Sequence, residues 1–432
     1  MKLSQNPREA AADLLCRIFS QKSYNNLALR DYLKNSPLSP DGRRFVTECV
    51  NGVLRNLIYL DCVINRFAVI KTDKMKPFIL NVLRAAVYEL RFTNSAKGYA
   101  VCSEAVEICK ARGFGKLSGF VNAVLRNIQR AAQAGERFLP EDGPERLSVE
   151  FSTPRWIVDI FEKTYGAEGA RDLLRSLSER PRVCVCPNAA RITKAGLAEV
   201  LSAEGVTAED FYPEREDCLI IRETSDISEL RAYKDGLFHV ASASALASLD
   251  PLSGRTPENA LILDACAAPG GKSFALAGKF PGASITAADI YPRKVGLIRD
   301  GAERLGLSAA ISAETADMTK FAPAFEKKFD IVIADCPCTG LGLLRKKPDI
   351  KFSRAPGDIE TLARLQREIA ENCVKYVKPG GLFLYITCTL NPAENADNAG
   401  FIESLGGAPL EAREILPREL DSDGFFTALF GF

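Results

Sequence analysis

Three short stretches of the chain gather residue types that can do chemistry. The first reads LILDACAAPGGK, Leu261 to Lys272: an apolar run ends in Asp264, small residues surround Pro269, and the pair Gly270-Gly271 leads to Lys272 at the start of a helical pattern. Strand, glycine turn and helix in that order let backbone N–H groups approach a ligand at a helix N-terminus. The run has neither the GxGxxG pattern nor the Walker spacing. An ordinary strand-to-helix turn that needs glycine for a positive φ is the alternative. The second stretch, DCPCTGLG (335–342), and the third, LYITCTLNPAEN (384–395), each put a cysteine on a loop past an expected strand end, Cys338 and Cys388. A thiolate there acts as a nucleophile once its pKa is lowered. Asp289 ends a strand 25 positions after Asp264 and suits the two hydroxyls of a ribose. Asp317 follows the next strand, where it can accept from an adenine amino group, and Asp335 ends the one after. A strand-end acid also serves as a simple helix cap. Several such groups converging on one crevice favour a nucleotide-like ligand.

The elements that must position these groups follow from periodicity. Beyond Asp235, strands are expected at 260–263, Ser284–Asp289, Ala309–Ala313, Phe329–Ala334 and Gly381–Ile386. Helices are expected at Pro292–Leu305, Ile359–Tyr376 and Ala393–Ser404, and a terminal hairpin at Glu411–Ile415 and Phe425–Phe430. This alternation implies an α/β fold with a mostly parallel, doubly wound sheet and ligands at the carboxyl ends of its strands. Residues 4–131 read as helices with short connections, including a cap at Ser39-Pro40-Asp41 and runs at Lys76–Arg91, Ala100–Ala111 and Lys116–Arg130. The polar stretch 132–150 reads as a linker. Residues 151–235 read as a small α+β piece: helices at Arg155–Tyr165, Ala167–Ser178 and Thr193–Ala203, strands at Arg182–Cys186, Val206–Tyr212 and Cys218–Ile221.

Composition bounds the function. A chain of 432 residues holds more than one core, and 47% hydrophobic with 26% charged residues is globular. An apolar run of about 18 residues, enough for a membrane span, is missing, and the N-terminus shows no signal-peptide pattern. The thirteen cysteines are scattered and odd in number, which fits a reducing cytoplasm. Cys16, Cys49, Cys62, Cys102, Cys109 and Cys373 read as small buried hydrophobes. With one histidine, His239, and no CxxC, no metal site is expected. The net charge of +1 hides an asymmetry: residues 1–130 carry 21 Lys and Arg against 10 Asp and Glu, +11, and the remainder carries −10. A basic first third suits a polyanion, with Arg43, Arg44, Arg55, Arg66, Arg84 and Arg126 as candidate phosphate contacts. Solvated helix faces are the plain alternative.

In the first 130 residues the motifs PREAAADLL, NNLALRDYL, DGRRFVTECVNGVLRNLIYLD and KLSGFVNAVLRNI, in that order, resemble the NusB-like RNA-binding domain. Further on, DACAAPGGK, the strand-end aspartates, DCPCTGLG and TCTLNPAEN resemble the Nop2/Sun family of RNA cytosine-5 methyltransferases. Together they are similar to its bacterial Sun/RsmB type, which modifies small-subunit ribosomal RNA. The resemblance covers nearly the whole chain. It implies a NusB-like bundle at 1–135, an α+β domain at 150–235 and a Rossmann-like S-adenosylmethionine-dependent methyltransferase domain at 236–432. It implies S-adenosylmethionine as cofactor, held by Ala267, Ala268, Pro269, Gly270, Gly271, Lys272, Asp289, Asp317 and Asp335. It makes Cys388 the nucleophile toward carbon 6 of cytosine and Cys338 the group that assists loss of the carbon-5 proton, with Asp335 and Lys272 on the polar edge of the ring. It also implies a cytoplasmic, monomeric protein whose partner is RNA, with no metal and no membrane. The chain departs from the family at Val183-Cys184-Val185-Cys186-Pro187-Asn188, where Leu-Arg-Val-Asn is usual, at HVASASA (239–245), which lacks the usual Gln-Asp, and at Thr339-Gly340-Leu341-Gly342, where Ser-Ala/Gly-Thr-Gly is usual. These departures bear on RNA contacts and target more than on the reaction. The rival readings are a non-catalytic RNA-binding assembly factor and a methyltransferase acting on transfer RNA or another RNA. A DNA target fits less well, since DNA cytosine-5 enzymes use the Pro-Cys thiol as nucleophile.

Overall fold

The computed structural model describes residues 4–21, 25–93, 98–141, 145–222 and 226–432; of the expected linker, 142–144 fall outside these. The chain forms two compact units. One comprises Met1–Ser178 with Lys347–Ser353, the other Glu179–Lys346 with Arg354–Phe432. The stretch 150–235 is thus divided between them.

The first unit is helical. Its principal helices are Pro7–Gln21, Asn25–Lys34, Pro40–Arg55, Leu57–Phe67, Pro77–Phe92, Gly98–Ala111 and Ser118–Gln133, followed by Glu145–Glu150 within the expected linker and Arg155–Ser178. Ser39 caps the third helix, its Oγ accepting from Gly42 N at 3.1 Å with Pro40 in the first turn. Arg155–Ser178 merges the two helices expected there across a break at Gly166, where φ is 73°. Leu14, Leu15, Val46, Val50, Val53, Leu60, Leu83 and Leu125 fill one core. Arg84 is no phosphate ligand in this fold. It is buried and forks onto Asp61 at 2.7 and 2.6 Å, because a buried guanidinium needs a carboxylate. Arg66 pairs with Glu136 at 2.9 Å, while Arg44 stays 71% exposed.

The second unit carries two sheets. Strands β1 (Val183–Pro187), β2 (Thr207–Glu209), β3 (Leu219–Arg222) and β4 (Phe238–Val240) form an antiparallel sheet in the order β2-β3-β1-β4. β4 was not expected. Three residues give too short a pattern to read, and its first two are buried rather than alternating. The larger sheet contains β5 (Leu261–Asp264), β6 (Ser284–Asp289), β7 (Ile311–Thr315), β8 (Phe329–Asp335), β9 (Val377–Thr387), β10 (Ala408–Ile415) and β11 (Phe425–Gly431). Their order is β10-β11-β9-β8-β5-β6-β7, with β5 to β9 parallel and the closing hairpin antiparallel. β7 starts two residues later than expected and β9 runs longer at its start.

This sheet is buried on both faces. Ile262, Ile285, Ile331, Ile333, Leu384 and Ile386 pack with Leu276, Ile298 and Leu305. Leu263, Ala288, Val332, Phe383 and Tyr385 pack with Ile369, Cys373 and Tyr376. Two-sided burial explains why its strands read as apolar runs without alternation. From β5 the chain winds outward through β6 and β7, then returns to β8 on the other side of β5. That reversal opens a crevice at the carboxyl ends of β5 and β8, and the three chemistry-bearing stretches begin there or one strand away.

Candidate active site

β5 delivers Asp264, fully buried, into the crevice floor. Its Oδ2 accepts from Ser273 Oγ at 2.7 Å, tying the strand end to the first turn of helix Gly271–Lys279. Burial holds the Asp264 carboxyl above the usual range, at about 6, and its Oδ1 has no partner among the described residues. In the turn between them Gly270 has φ 107°, and a Cβ there would sit 2.5 Å from the Phe274 ring. Only glycine meets both demands. Ala267 N donates to Ala288 O and Gly270 N to Ala267 O, both at 2.8 Å, pinning the turn to the end of β6.

Asp289 stands at that end. Its Oδ1 accepts from Tyr291 N at 3.0 Å, while among the described residues Oδ2 has only Lys294 at 3.9 Å, which leaves accepting capacity open. Next to it Ile290 is 48% exposed, an apolar surface beside an acceptor, which suits a nucleoside; none of the sequence motifs signals it. Asp317 is more occupied. Its Oδ1 accepts from Thr319 N at 3.1 Å and Thr319 Oγ1 at 2.6 Å, and Lys320 lies 3.1 Å from Oδ2. The Thr319 hydrogen bond and Lys320 hold its carboxyl below the usual range.

Across the crevice, Lys272 Nζ lies 2.6 Å from Asp335 Oδ2 and 5.0 Å from the centre of the Phe425 ring. Burial opposes the ammonium charge, but Asp335 outweighs it and raises the Lys272 pKa. Phe425 escaped sequence reasoning because aromatic residues in a terminal strand read as core. Cys338 and Cys388 follow β8 and β9, parallel neighbours, and their Sγ atoms are 3.1 Å apart. Cys388 is half-buried and Cys338 buried. The hydrogen bond with Cys388, and then burial, push the Cys338 thiol well above its usual value, so Cys338 keeps its proton; either sulfur can be the donor between them. One thiol that holds its proton, one partly open thiol, a cation and a carboxylate can together support addition to an electron-poor ring. All thirteen cysteines are free; Cys49, Cys102, Cys109 and Cys373 are buried as expected, Cys16 and Cys62 half-buried.

The two thiol loops touch through backbone. Gly342 N donates to Cys388 O at 3.1 Å and Gly424 N to Gly342 O at 2.8 Å. A Cβ on Gly342 would overlap the Gly424 carbonyl and lie 2.9 Å from Cys388 O. Gly342→Ala therefore forces Cys388 outward and destabilises the protein by about 1–3 kcal/mol. Urea unfolding checks this, and an unchanged midpoint would refute the close approach. A further residue of the third stretch, Glu394, is wholly buried and hydrogen-bonded to Thr339, next to Cys338. Its only signal in the sequence is its place within TCTLNPAEN. Among the described residues, no group of three His, Cys, Asp or Glu side chains is placed to hold a metal ion, and no helix is long and apolar enough to cross a membrane.

The chain is similar to known proteins over nearly its whole length. Residues 252–404 match the family described as 16S rRNA methyltransferase RsmB/F, and residues 5–130 match the NusB family. The probable ribosomal RNA small subunit methyltransferase B of Bacillus subtilis (strain 168) is 34% identical, covering 97% of each chain. Its counterpart in a Synechocystis species is 30% identical over 98% of each chain. Among solved structures, PH0851 aligns over 100% of both chains with a TM-score of 0.80 at 21% identity. NSun6 from Pyrococcus horikoshii with SFG aligns with a TM-score of 0.58 at 20% identity, over 64% of this chain and 98% of that one. These two establish the shared Rossmann-like fold. With full-length similarity to the B-type proteins and both domain matches in the same order, the chain belongs to the RsmB/F family of 16S rRNA methyltransferases and carries a NusB-family segment ahead of its seven-stranded sheet.

Proposed function

We propose that the protein methylates carbon 5 of a cytosine in small-subunit ribosomal RNA, using S-adenosylmethionine and a covalent bond from Cys388 to carbon 6 of the base. The observation that carries this reading is the 3.1 Å approach of Cys338 and Cys388 at neighbouring strand ends. One thiol suffices for simple addition; two in contact suit addition followed by proton removal. The family's printed description supports the ribosomal RNA substrate.

S-adenosylmethionine supplies a methyl group on a sulfonium, an electrophile that needs a carbon nucleophile. The residues present fit it. Ala267, Ala268, Pro269, Gly270 and Gly271 form a turn without protruding side chains, Asp264 Oδ1 is a buried acceptor in want of a donor, and Asp289 keeps Oδ2 for ribose hydroxyls. Asp317 would accept from the adenine amino group with the capacity Thr319 and Lys320 leave it. Cys388, its thiol proton released to solvent, adds to carbon 6, which makes carbon 5 electron-rich; carbon 5 would then take the methyl group as the bond from that methyl to the sulfonium sulfur breaks. Lys272 and Asp335 hydrogen-bond the polar edge of the base and stabilise the charge that builds there. Cys338, once its own proton has passed to solvent, or a water beside it, then receives the carbon-5 proton, and the bond from carbon 6 to Cys388 breaks. The cytosine must leave its stack to reach this crevice.

The direct test is incubation with protein-free small-subunit ribosomal RNA and methyl-labelled S-adenosylmethionine, then digestion to nucleosides. Labelled 5-methylcytidine is expected; labelled cytidine methylated elsewhere, or no transfer with cofactor bound, overturns the assignment. The +11 charge of residues 1–130 carries a second expectation. RNA affinity measured by fluorescence anisotropy falls steeply with salt through release of counterions, by about 10³-fold or more between roughly 50 and 200 mM for several phosphate contacts. A flat response removes that segment as the phosphate-binding surface.

A further inference from the structure

We propose that Glu394 is a positioning residue that locks the two thiol-bearing loops into one hydrogen-bonded unit and sets the electrostatic field at Cys338. The inference rests on the reading of Cys388 and Cys338 as nucleophile and proton acceptor. Glu394 has no exposed surface. Its Oε1 accepts from Thr339 N at 2.9 Å and Gln366 Nε2 at 2.8 Å. Its Oε2 accepts from Asn391 Nδ2 at 2.5 Å and from the Thr339 hydroxyl. Thr339 directly follows Cys338, and Asn391 lies three residues past Cys388. One carboxylate therefore grips both loops.

The grip is braced on each side. Gln366 Nε2 also reaches Pro337 O, just before Cys338, at 2.9 Å. Thr389, just after Cys388, has its Oγ1 2.7 Å from Thr339 Oγ1. Cys338 and Cys388 are thus held by hydrogen bonds at adjoining residues, and those made by Glu394 are buried. Among the described residues the hydrogen-bond partners of Glu394 are all neutral. A buried carboxylate without a cation is costly and survives only where its acceptor sites are filled. Its field falls on Cys338, where it adds to the effects of Cys388 and burial in holding the proton on that thiol. A neutral network would lock the loops equally well, so the charge has a separate consequence: a more basic Cys338.

The test uses Glu394→Gln and Thr389→Val in the full-length protein. Glu394→Gln removes the charge and turns an NH₂ group against the Asn391 amide. Its kcat is expected to fall about 10²-fold, as a misplacement of the reacting groups on the order of 1 Å does, with KM for S-adenosylmethionine unchanged. The ascending limb of its pH profile, where a proton acceptor must be deprotonated to act, shifts to lower pH, because losing a negative neighbour makes the Cys338 thiol more acidic. Thr389→Val loosens the lock and keeps the charge, so kcat falls while that limb stays in place. Unchanged kcat in both variants overturns the lock; an unmoved limb in Glu394→Gln overturns the field. Iodoacetamide labelling of the Cys338 peptide, read by mass spectrometry, needs no turnover. Faster labelling at pH 9 in Glu394→Gln supports the proposal even if the RNA reaction proves to be a different one, and an equal rate sinks it.

Discussion

The Cys388→Ala variant binds S-adenosylmethionine as the parent protein does and transfers no methyl group to RNA. Carbon 5 of cytosine is too weak a nucleophile to take the methyl unaided, so removing the group that adds to carbon 6 removes the reaction rather than slowing it. Loss of a covalent nucleophile costs about 10⁴–10⁶-fold in turnover, since the remaining binding and hydrogen-bonding groups supply little by themselves. Stability changes little. Cys388 is half-buried, its side chain is small, and its backbone carbonyl still accepts from Gly342 N. The groups proposed to hold the cofactor, at 267–272 and Asp289, lie at the ends of other strands, β5 and β6. Calorimetry with S-adenosylmethionine and a nucleoside assay for 5-methylcytidine separate the two properties. Substantial turnover in this variant would overturn the role of Cys388, and loss of cofactor binding would mean that the thiol shapes the pocket instead.

How much of this was readable in the residues depends on how local each feature is. The turn at Asp264–Lys272 is contiguous, so its glycines and its strand–helix placement follow from twelve consecutive letters, and the structure adds the collision with Phe274 that makes Gly270 obligatory. Asp289 and Asp335 are legible as strand ends because two-sided burial writes each strand as an apolar run with an abrupt polar stop. The contact between the thiols is different. Cys338 and Cys388 are separated by 50 residues, and only the pairing of β8 with β9 brings them together. Family resemblance supplied what spacing did not. Glu394 escaped for the same reason in sharper form, since its partners come from three separated segments. Arg84 shows the converse: a basic residue in a basic helix invites a phosphate, and only the fold reveals Asp61 beneath it.

The Cys338→Ala variant accumulates a covalent protein–RNA complex instead of free product. In the resting pair Cys338 holds its proton chiefly through its hydrogen bond with Cys388. Once the sulfur of Cys388 is bonded to carbon 6 it is a neutral thioether and a poor acceptor, so that hold is lost. The Cys338 thiol becomes more acidic at the stage when a base is wanted for the carbon-5 proton. Addition and methyl transfer precede this step and do not use Cys338. With alanine there, the methylated ring stays bonded to Cys388, because that bond breaks only when the carbon-5 proton leaves. The complex survives denaturant and runs as a slower band on a denaturing gel; it needs S-adenosylmethionine for the methyl it carries and Cys388 for the bond. The double variant Cys338→Ala/Cys388→Ala gives no such band. A Cys338→Ala protein that turns over freely without an adduct would show that water alone takes the proton, and the 3.1 Å contact would then serve only to hold Cys388 in place.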